Sequence, residues 1–561
     1  MNPEWIVFAY LALVLYVGIF AFQKSKGGSG EDFFLASRKL GPAVFLLSLF
    51  GTNMTSVAIL GSSGMAYQRG VGVFGLMASS SGVVIPLTLL FIGTRLWGLG
   101  KKHGHMTQVQ YLRDRWEMSG IGTFLFALTA LMLIPYIIVG VMGGGTTLET
   151  ISGGRVPYAV GGGIVALVVM SYVFFGGMRG TAWVNTIQTI LFLAFGIFAF
   201  TILGSTLGGF DKLMAELASK PGTAPLLSRE RIPAEEFFSY LFIPLSSIMF
   251  PHIAIMCLTA EKVTHFKKTV VLYPLCIAAI WLPSVYLGVV AAAKYPGLNP
   301  GEANSVIIRL LADNATPALA GIFGAGIMAC VMASDSQILA LSTMFTEDLF
   351  AYYGGRQKYG AKAEVWAGRT FIVVICIVSY VIALGLKDSA NIFDLAVRFA
   401  FTGFAALAPV MLAALFWKRS TKWGALAAGV WTLAGMLATW QLTSMSDAKA
   451  KEVFKPAPRP GAGAPAGGPG GRPGGAPSAP GGPGAPGGGV PMGGKPAGPR
   501  KPPPPFEVIP GNPVFLRGAA NVTVMGYLPV FPMVVGSALL MVLVSLATKP
   551  PSKETLDKYF A

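Results

Sequence analysis

Ala333-Ser334-Asp335-Ser336-Gln337 interrupts an apolar run that extends from about Ala318 to Phe345. The run is long enough to cross a bilayer, which takes about 20 helical residues. A carboxylate at that depth costs about 2.5–3.5 kcal/mol on insertion scales, so Asp335 needs a reason to be there. The hydroxyls and amide beside it are hard oxygen ligands of the kind a small cation or a proton path uses. A polar knot joining two helices is the plainer alternative.

Outward from that stretch, the whole chain reads as membrane protein. Of its 561 residues 53% are hydrophobic and only 12% charged, where a soluble domain carries about 25% charged residues. The mean hydropathy is +0.62. We count about 13 spans: 5–22, 42–67, 72–94, 121–144, 158–177, 181–204, 237–259, 270–293, 318–345, 370–386, 399–417, 423–442 and 522–547. The net charge of +17 lies mostly in the loops and is no nucleic-acid footprint. Cys257, Cys276, Cys330 and Cys376 all lie in apolar runs, with no metal or disulfide spacing. Trp5 to Phe22 reads as a retained first helix, since no small-residue cleavage site follows it.

Loop charge sets the expected orientation. With the N-terminus outside, cytoplasmic segments hold about 23 Lys plus Arg and the short outer loops about 10. The N-terminus is expected outside and Lys549 to Ala561 inside. Residues 456–505 are Pro/Gly-rich and too poor in apolar residues to fold. Within them, Gly489 to Lys495 nearly matches a phosphate loop. Pro496 stands where Ser or Thr should bind magnesium, and no strand precedes it.

Two spans look broken. Ser48-Leu49-Phe50-Gly51-Thr52-Asn53-Met54-Thr55-Ser56 combines a helix-weakening glycine with side chains that bond locally to freed backbone. Unwinding is expected near Gly51–Met54, with a small-residue packing face as the alternative. Ile243-Pro244-Leu245-Ser246-Ser247-Ile248-Met249-Phe250-Pro251-His252 carries two prolines, each of which removes a helical hydrogen bond. Paired interrupted helices in corresponding halves point to a transporter site at the midplane. His252 is either a proton relay or a hydrogen-bonded core residue, and His103 and His105 lie in a basic loop that disfavours a metal cation. There is no HExxH, nucleophile elbow or catalytic dyad, so no enzyme is expected.

Several stretches together resemble the sodium/solute symporter family, which includes the proline, pantothenate and sodium/glucose transporters. They are Asp32 to Arg38, Gly61 to Gly70, Thr107 with Tyr111 to Trp116, Pro251-His252-Ile253, Thr346 to Leu349, and Phe416 to Arg419 followed by Gly424-Ala425. The resemblance covers about residues 5–440. It implies an all-α polytopic membrane protein with an inverted five-plus-five helix repeat, LeuT-like, and extra peripheral helices. The implied partition is a first helix and cytoplasmic loop (1–41), a first repeat (42–204), an outer loop (205–236) and a second repeat (237–417). A peripheral helix (418–442), a Pro/Gly-rich disordered outer loop (443–521), and a last helix with a cytoplasmic tail (522–561) follow.

The resemblance also implies a sodium site between spans two and nine, from carbonyls of Gly51, Met54 and Cys330 and the hydroxyl of Ser334. Ala333 stands where the family often has a second hydroxyl, and the chain is one residue short before Asp335. Such a deletion turns the rest of the helix by about 100°, so Asp335 or Ser336 could take over, through a local bulge. Asn185 stands where the family usually has an aspartate, and Met256 where the proline branch has an arginine. Asn53, Ser246, Ser247 and Phe250 are the expected substrate contacts, with Ser79–Ser81 beside them.

The function implied is sodium-coupled import of a small organic solute across the plasma membrane by alternating access. One charge crossing 100 mV supplies about 2.3 kcal/mol, and a tenfold sodium gradient roughly 1.4 more. Together these sustain roughly a 500-fold solute gradient. The rivals are a proton-coupled or uncoupled transporter of the same fold, with Asp335 titrating, and a non-transporting membrane sensor. A sensor would be expected to carry a signalling domain, and only about a dozen residues follow Lys549. A channel would show a repeated charged ring.

Overall fold

In a computed structural model, residues 2–23, 30–387, 392–454, 504–518 and 521–560 are described. Almost all of 456–505, including Gly489 to Lys495, lies outside them. Among the described residues ten helices are long and apolar enough to cross a membrane, and twelve if each of two bent pairs is one span.

One of the ten is 49 residues long, Tyr158–Thr206. A straight helix of that length would reach roughly 74 Å, more than twice the hydrocarbon core of about 30 Å. It is not straight. Gly177 sits at φ 52°, ψ −149°, outside helical geometry. On either side of it, Tyr172 Oη donates to Asp335 Oδ2 at 2.8 Å and Asn185 Nδ2 to Oδ1 of the same carboxylate at 3.2 Å. Thirteen residues of straight helix would part those two side chains by roughly 20 Å. The segment is therefore a hairpin of two passes, spans five and six, which restores the 13 spans read from the sequence.

Only glycine takes the Gly177 conformation cheaply, and a Cβ there would stand 2.5 Å from the Phe33 carbonyl. Gly177→Ala is expected to cost about 1–3 kcal/mol and to lower the apparent melting temperature in a thermal size-exclusion assay. Gly82→Ala, which adds a methyl to open space inside a helix, should not lower it.

The two bent pairs are the two spans expected to be broken. Span two is Pro42–Asn53 plus Val57–Arg69, bent by 54°, and span seven is Ala234–Met249 plus Pro251–Leu258, bent by 46°. The first break lies later than expected: the helix runs on through Gly51, and Met54 and Thr55 leave it. Gly51 serves close packing instead, since a Cβ there would strike Thr189 Oγ1 of span six. The second break falls at Phe250 (φ −60°, ψ 118°), where Pro251 has no N–H to continue the ladder.

Span nine, Pro317–Ala351, contains a 3-10 turn at Met332–Ser334. The expected local bulge is thus a tightening. With 3.0 rather than 3.6 residues per turn, it absorbs the missing residue without loosening the helix.

Past the repeats, span twelve extends to Val453 and span thirteen begins at Val530, not 522. Phe506–Glu507, Phe515–Arg517 and Val522–Val524 form an antiparallel three-stranded sheet, the first two strands inside the loop expected to be unstructured and the third where span thirteen is expected to start. The apolar residues that make it, Phe506, Phe515, Val522 and Val524, are few and lie beside the Pro/Gly-rich stretch that dominates the composition.

Candidate functional site

The breaks in spans two and seven meet at a central cavity. It is lined by Asn53, Met54 and Val57 from span two, Ser246, Ser247 and Phe250 from span seven, and Ser81, Tyr136, Trp281 and Phe401 from the helices around them. All four expected substrate contacts are on its wall. Ser79 is not; it is exposed and its hydroxyl bonds to the Gly75 carbonyl at 2.5 Å. Among the described residues no Lys, Arg, Asp, Glu or His lines the cavity.

Its volume is about 60 Å3, room for about four waters, so a larger solute requires the walls to part. Asn53 Nδ2 donates to Tyr273 Oη at 2.6 Å, which occupies one of its two amide hydrogens. Ser247 Oγ donates to the Pro244 carbonyl at 2.7 Å. The buried Trp281 Nε1–H has no partner among the described residues. Phe250 packs between Tyr136 and Phe401, with ring centroids 5.7 Å from each. Tyr136, Trp281 and Phe401 escaped the sequence reading because a single aromatic in an apolar span carries no periodic signal.

His252 is buried beside Phe250, at 4.8 Å between ring centroids. Neither of its nitrogens has a partner among the described residues, so the hydrogen-bonded core histidine expected from sequence is not what the structure contains.

Spans two and nine touch beside this cavity, at Met54. Cys330 Sγ donates to the carbonyls of Met54 at 3.3 Å and Thr55 at 3.0 Å. Gln337 Nε2 donates to the Thr52 carbonyl at 3.0 Å. Two oxygens at this contact, Thr52 Oγ1 and Gln337 Oε1, are buried with no partner among the described residues. Of the expected sodium ligands, Met54 and Cys330 meet here. The Cys330 carbonyl already accepts from Met332 N within span nine. Gly51 lies a turn away against span six, and its carbonyl accepts from Met54 N at 3.1 Å. Ser334 packs on Gly140 of span four, where any larger residue would strike its hydroxyl. Gln337 and Thr52 were legible as polar residues in apolar spans, but nothing in the sequence says that they face each other.

Asp335 points the other way, into the hairpin of spans five and six, and is completely buried. It accepts from Tyr172 Oη, from Asn185 Nδ2, and from Ser336 Oγ at 3.1 Å. Asn185 Nδ2 also donates to Ser336 Oγ at 2.8 Å. Among the described residues no basic side chain is among its partners. Asn185, the amide on span six, is thus in contact at 3.2 Å with the carboxylate on span nine.

The model of the family described as "Sodium:solute symporter family" matches residues 33–432. The chain belongs to that family. It is 28% identical over 448 residues to the high-affinity proline transporter PutP of Bacillus subtilis, covering 77% of this chain and 91% of that one. It is 27% identical over 454 residues to the sodium/proline symporter of Escherichia coli (76% and 85%). It is 25% identical over 434 residues to the sodium/pantothenate symporter of the same organism (75% and 86%). In structure it is similar to a Na+-coupled sialic acid symporter solved in a substrate-bound outward-open state. The TM-score is 0.65 at 18% identity, over 79% of this chain and 92% of that one. The fold is LeuT-like. This family member is a multi-pass plasma-membrane protein, a symporter that couples import of a small solute to sodium.

Proposed function

We propose that this symporter holds sodium at the contact of spans two and nine and a small solute in the cavity between the two breaks. The solute is a net-neutral or zwitterionic molecule, or a monocarboxylate whose charge the ion balances. The observation that carries this reading is the uncharged wall of the cavity, since a bare charge buried there costs several kcal/mol, roughly, unless compensated. For the ion, the ligands are the Met54 carbonyl, Thr52 and Gln337. Asp335, across the helix, supplies the countercharge. Sodium stabilises the packing of span two on span nine, and the solute then binds over the breaks.

The N-terminus is outside and the tail inside, as the loop charges favour. The packing of the tail helix Lys553–Phe560 on the loop carrying His103 and His105 supports a common side for both. The repeat boundaries 42–204 and 237–417 fit the placement of one broken span near the start of each. The chemistry is transport without a covalent step.

A solute-library uptake screen in proteoliposomes, with and without an inward sodium gradient, tests the reading. Uptake should require sodium and be confined to solutes of no or single negative charge. Uptake that follows pH and ignores sodium would overturn it. Thr52→Val and Gln337→Leu should each raise the sodium concentration for half-maximal uptake roughly tenfold, the loss of about 1.4 kcal/mol of ligand interaction.

A further inference from the structure

The cytoplasmic end of the molecule consists of two hydrogen-bonded groups with a seam between them. In the first group the lower half of span seven is tied to the start of span two and to the end of span three. Leu40 N donates to the Thr259 carbonyl at 3.2 Å, Glu261 N to the Leu40 carbonyl at 3.3 Å, and Trp97 Nε1 to the Ala260 carbonyl at 2.7 Å. In the second group the loop helix Gln108–Arg115 is tied to the ends of spans nine and eleven. Thr107 Oγ1 donates to Asp348 at 2.9 Å, Arg113 Nη2 to the Asp348 carbonyl at 2.9 Å, and Tyr111 Oη to the Ala414 carbonyl at 2.8 Å. Gln108 to the Met249 carbonyl (2.8 Å) and Arg38 to the His105 carbonyl (2.7 Å) cross the seam.

The tail helix Lys553–Phe560 lies over that seam. Tyr559 is only 4% exposed. Its ring centroid is 5.1 Å from that of His103, on the span-three side, and 5.4 Å from that of Tyr111, on the loop-helix side. Phe560 is ringed by cations from both groups: the guanidinium carbons of Arg95 of span three (5.6 Å) and Arg115 of the loop helix (4.9 Å), and Lys418 Nζ at the end of span eleven (5.9 Å). At its other end the helix is anchored to Glu117, which accepts from the hydroxyls of Ser552 and Thr555. Those two hydrogen bonds hold the Glu117 carboxyl below its usual range, so the anchor stays ionised at neutral pH.

We propose that the carboxyl-terminal helix is a strap that holds the cytoplasmic gate shut, with Tyr559 and Phe560 as its two pins. Opening toward the cytoplasm must separate the lower half of span seven from the loop helix, since the Gln108–Met249 hydrogen bond joins the two directly beside the break at Phe250. The strap spans the same two groups, so it has to release when they part. The proposal rests on the alternating-access reading, but its test does not require transport.

Spin labels at Lys102→Cys and Lys358→Cys, both exposed positions on opposite sides of the seam, report its width by electron–electron distance measurement. The background carries Cys276→Ser, and the remaining cysteines are buried. In the full chain without sodium, the short distance should dominate. Removing residues 553–561, or substituting both Tyr559→Ala and Phe560→Ala in the full chain, should raise the population at the longer distance roughly tenfold. Tyr559→Phe, which keeps the ring, should resemble the unaltered protein. The double substitution covers the case in which the truncated chain elutes as aggregate on size exclusion. Distance distributions of the variants that superimpose on that of the full chain would overturn the strap. Failed uptake with a widened seam would overturn the transport reading and leave the strap standing.

Discussion

Asp335→Asn is expected to raise the sodium concentration for half-maximal uptake roughly 30-fold. The substitution is isosteric; with its carbonyl oxygen toward Asn185 and Ser336, its NH2 faces Tyr172 Oη, a hydroxyl that can accept as well as donate, so the change is chiefly one of charge. The carboxylate is fully buried, and no basic side chain bonds to it among the described residues. With an effective dielectric constant near 20, opposite unit charges about 8 Å apart attract by about 2 kcal/mol, which sets the scale of the effect. Each 1.4 kcal/mol, roughly, is tenfold in affinity. The contact with Asn185 provides a sharper form of the test. Moving the carboxylate across it, with Asp335→Asn and Asn185→Asp together, returns a negative charge to nearly the same point. Sodium affinity should recover most of the loss in the double variant. If Asp335→Asn leaves the sodium dependence unchanged, the residue is the polar glue that the sequence also allowed.

The second large effect concerns the solute and should leave the ion alone. Phe250→Ala removes a buried ring from the cavity wall at the break in span seven. The ring packs on Tyr136, His252, Phe401 and Phe404, the last at 4.9 Å between centroids. Burial of such a side chain is worth about 1.5–3 kcal/mol. Part of that loss appears as a widened wall against the solute. The KM for solute should rise roughly 30-fold in initial-rate uptake, while half-saturation by sodium moves less than about threefold. Phe250→Leu, which refills part of the space, should lie between. A KM that stays put in Phe250→Ala would remove the residue from the solute site. A parallel rise for sodium would mean that the variant has disturbed the packing of spans two and nine instead.

Much of this architecture is legible in the chain because membrane spans announce themselves by length and hydropathy, and helix breaks by proline, glycine and clustered hydroxyls. Pro251 places the break of span seven to the residue, since a missing N–H has a fixed position. Gly51 misplaces the break of span two by about three residues, because glycine serves close packing as readily as unwinding. In this chain it makes room for Thr189. The facing of Asp335 was not readable at all. It depends on the 3-10 turn at Met332–Ser334, and a change of helical pitch leaves no mark on composition. Thr52 and Gln337 were missed for a related reason. Each is an ordinary polar residue in its own span, and only the packing of two spans 285 residues apart shows that they share a contact. Ser334 illustrates the converse. Its type suits a cation, yet its hydroxyl abuts Gly140, a relation between spans four and nine that no local pattern contains.

Equilibrium binding of radioactive sodium to the purified protein tests the central claim most directly, because it needs no knowledge of the solute. Saturable binding that competes with unlabelled sodium and weakens roughly 30-fold in Asp335→Asn is the predicted result. Binding that is absent from the unaltered protein, or present and indifferent to Asp335, Thr52 and Gln337 alike, would contradict it.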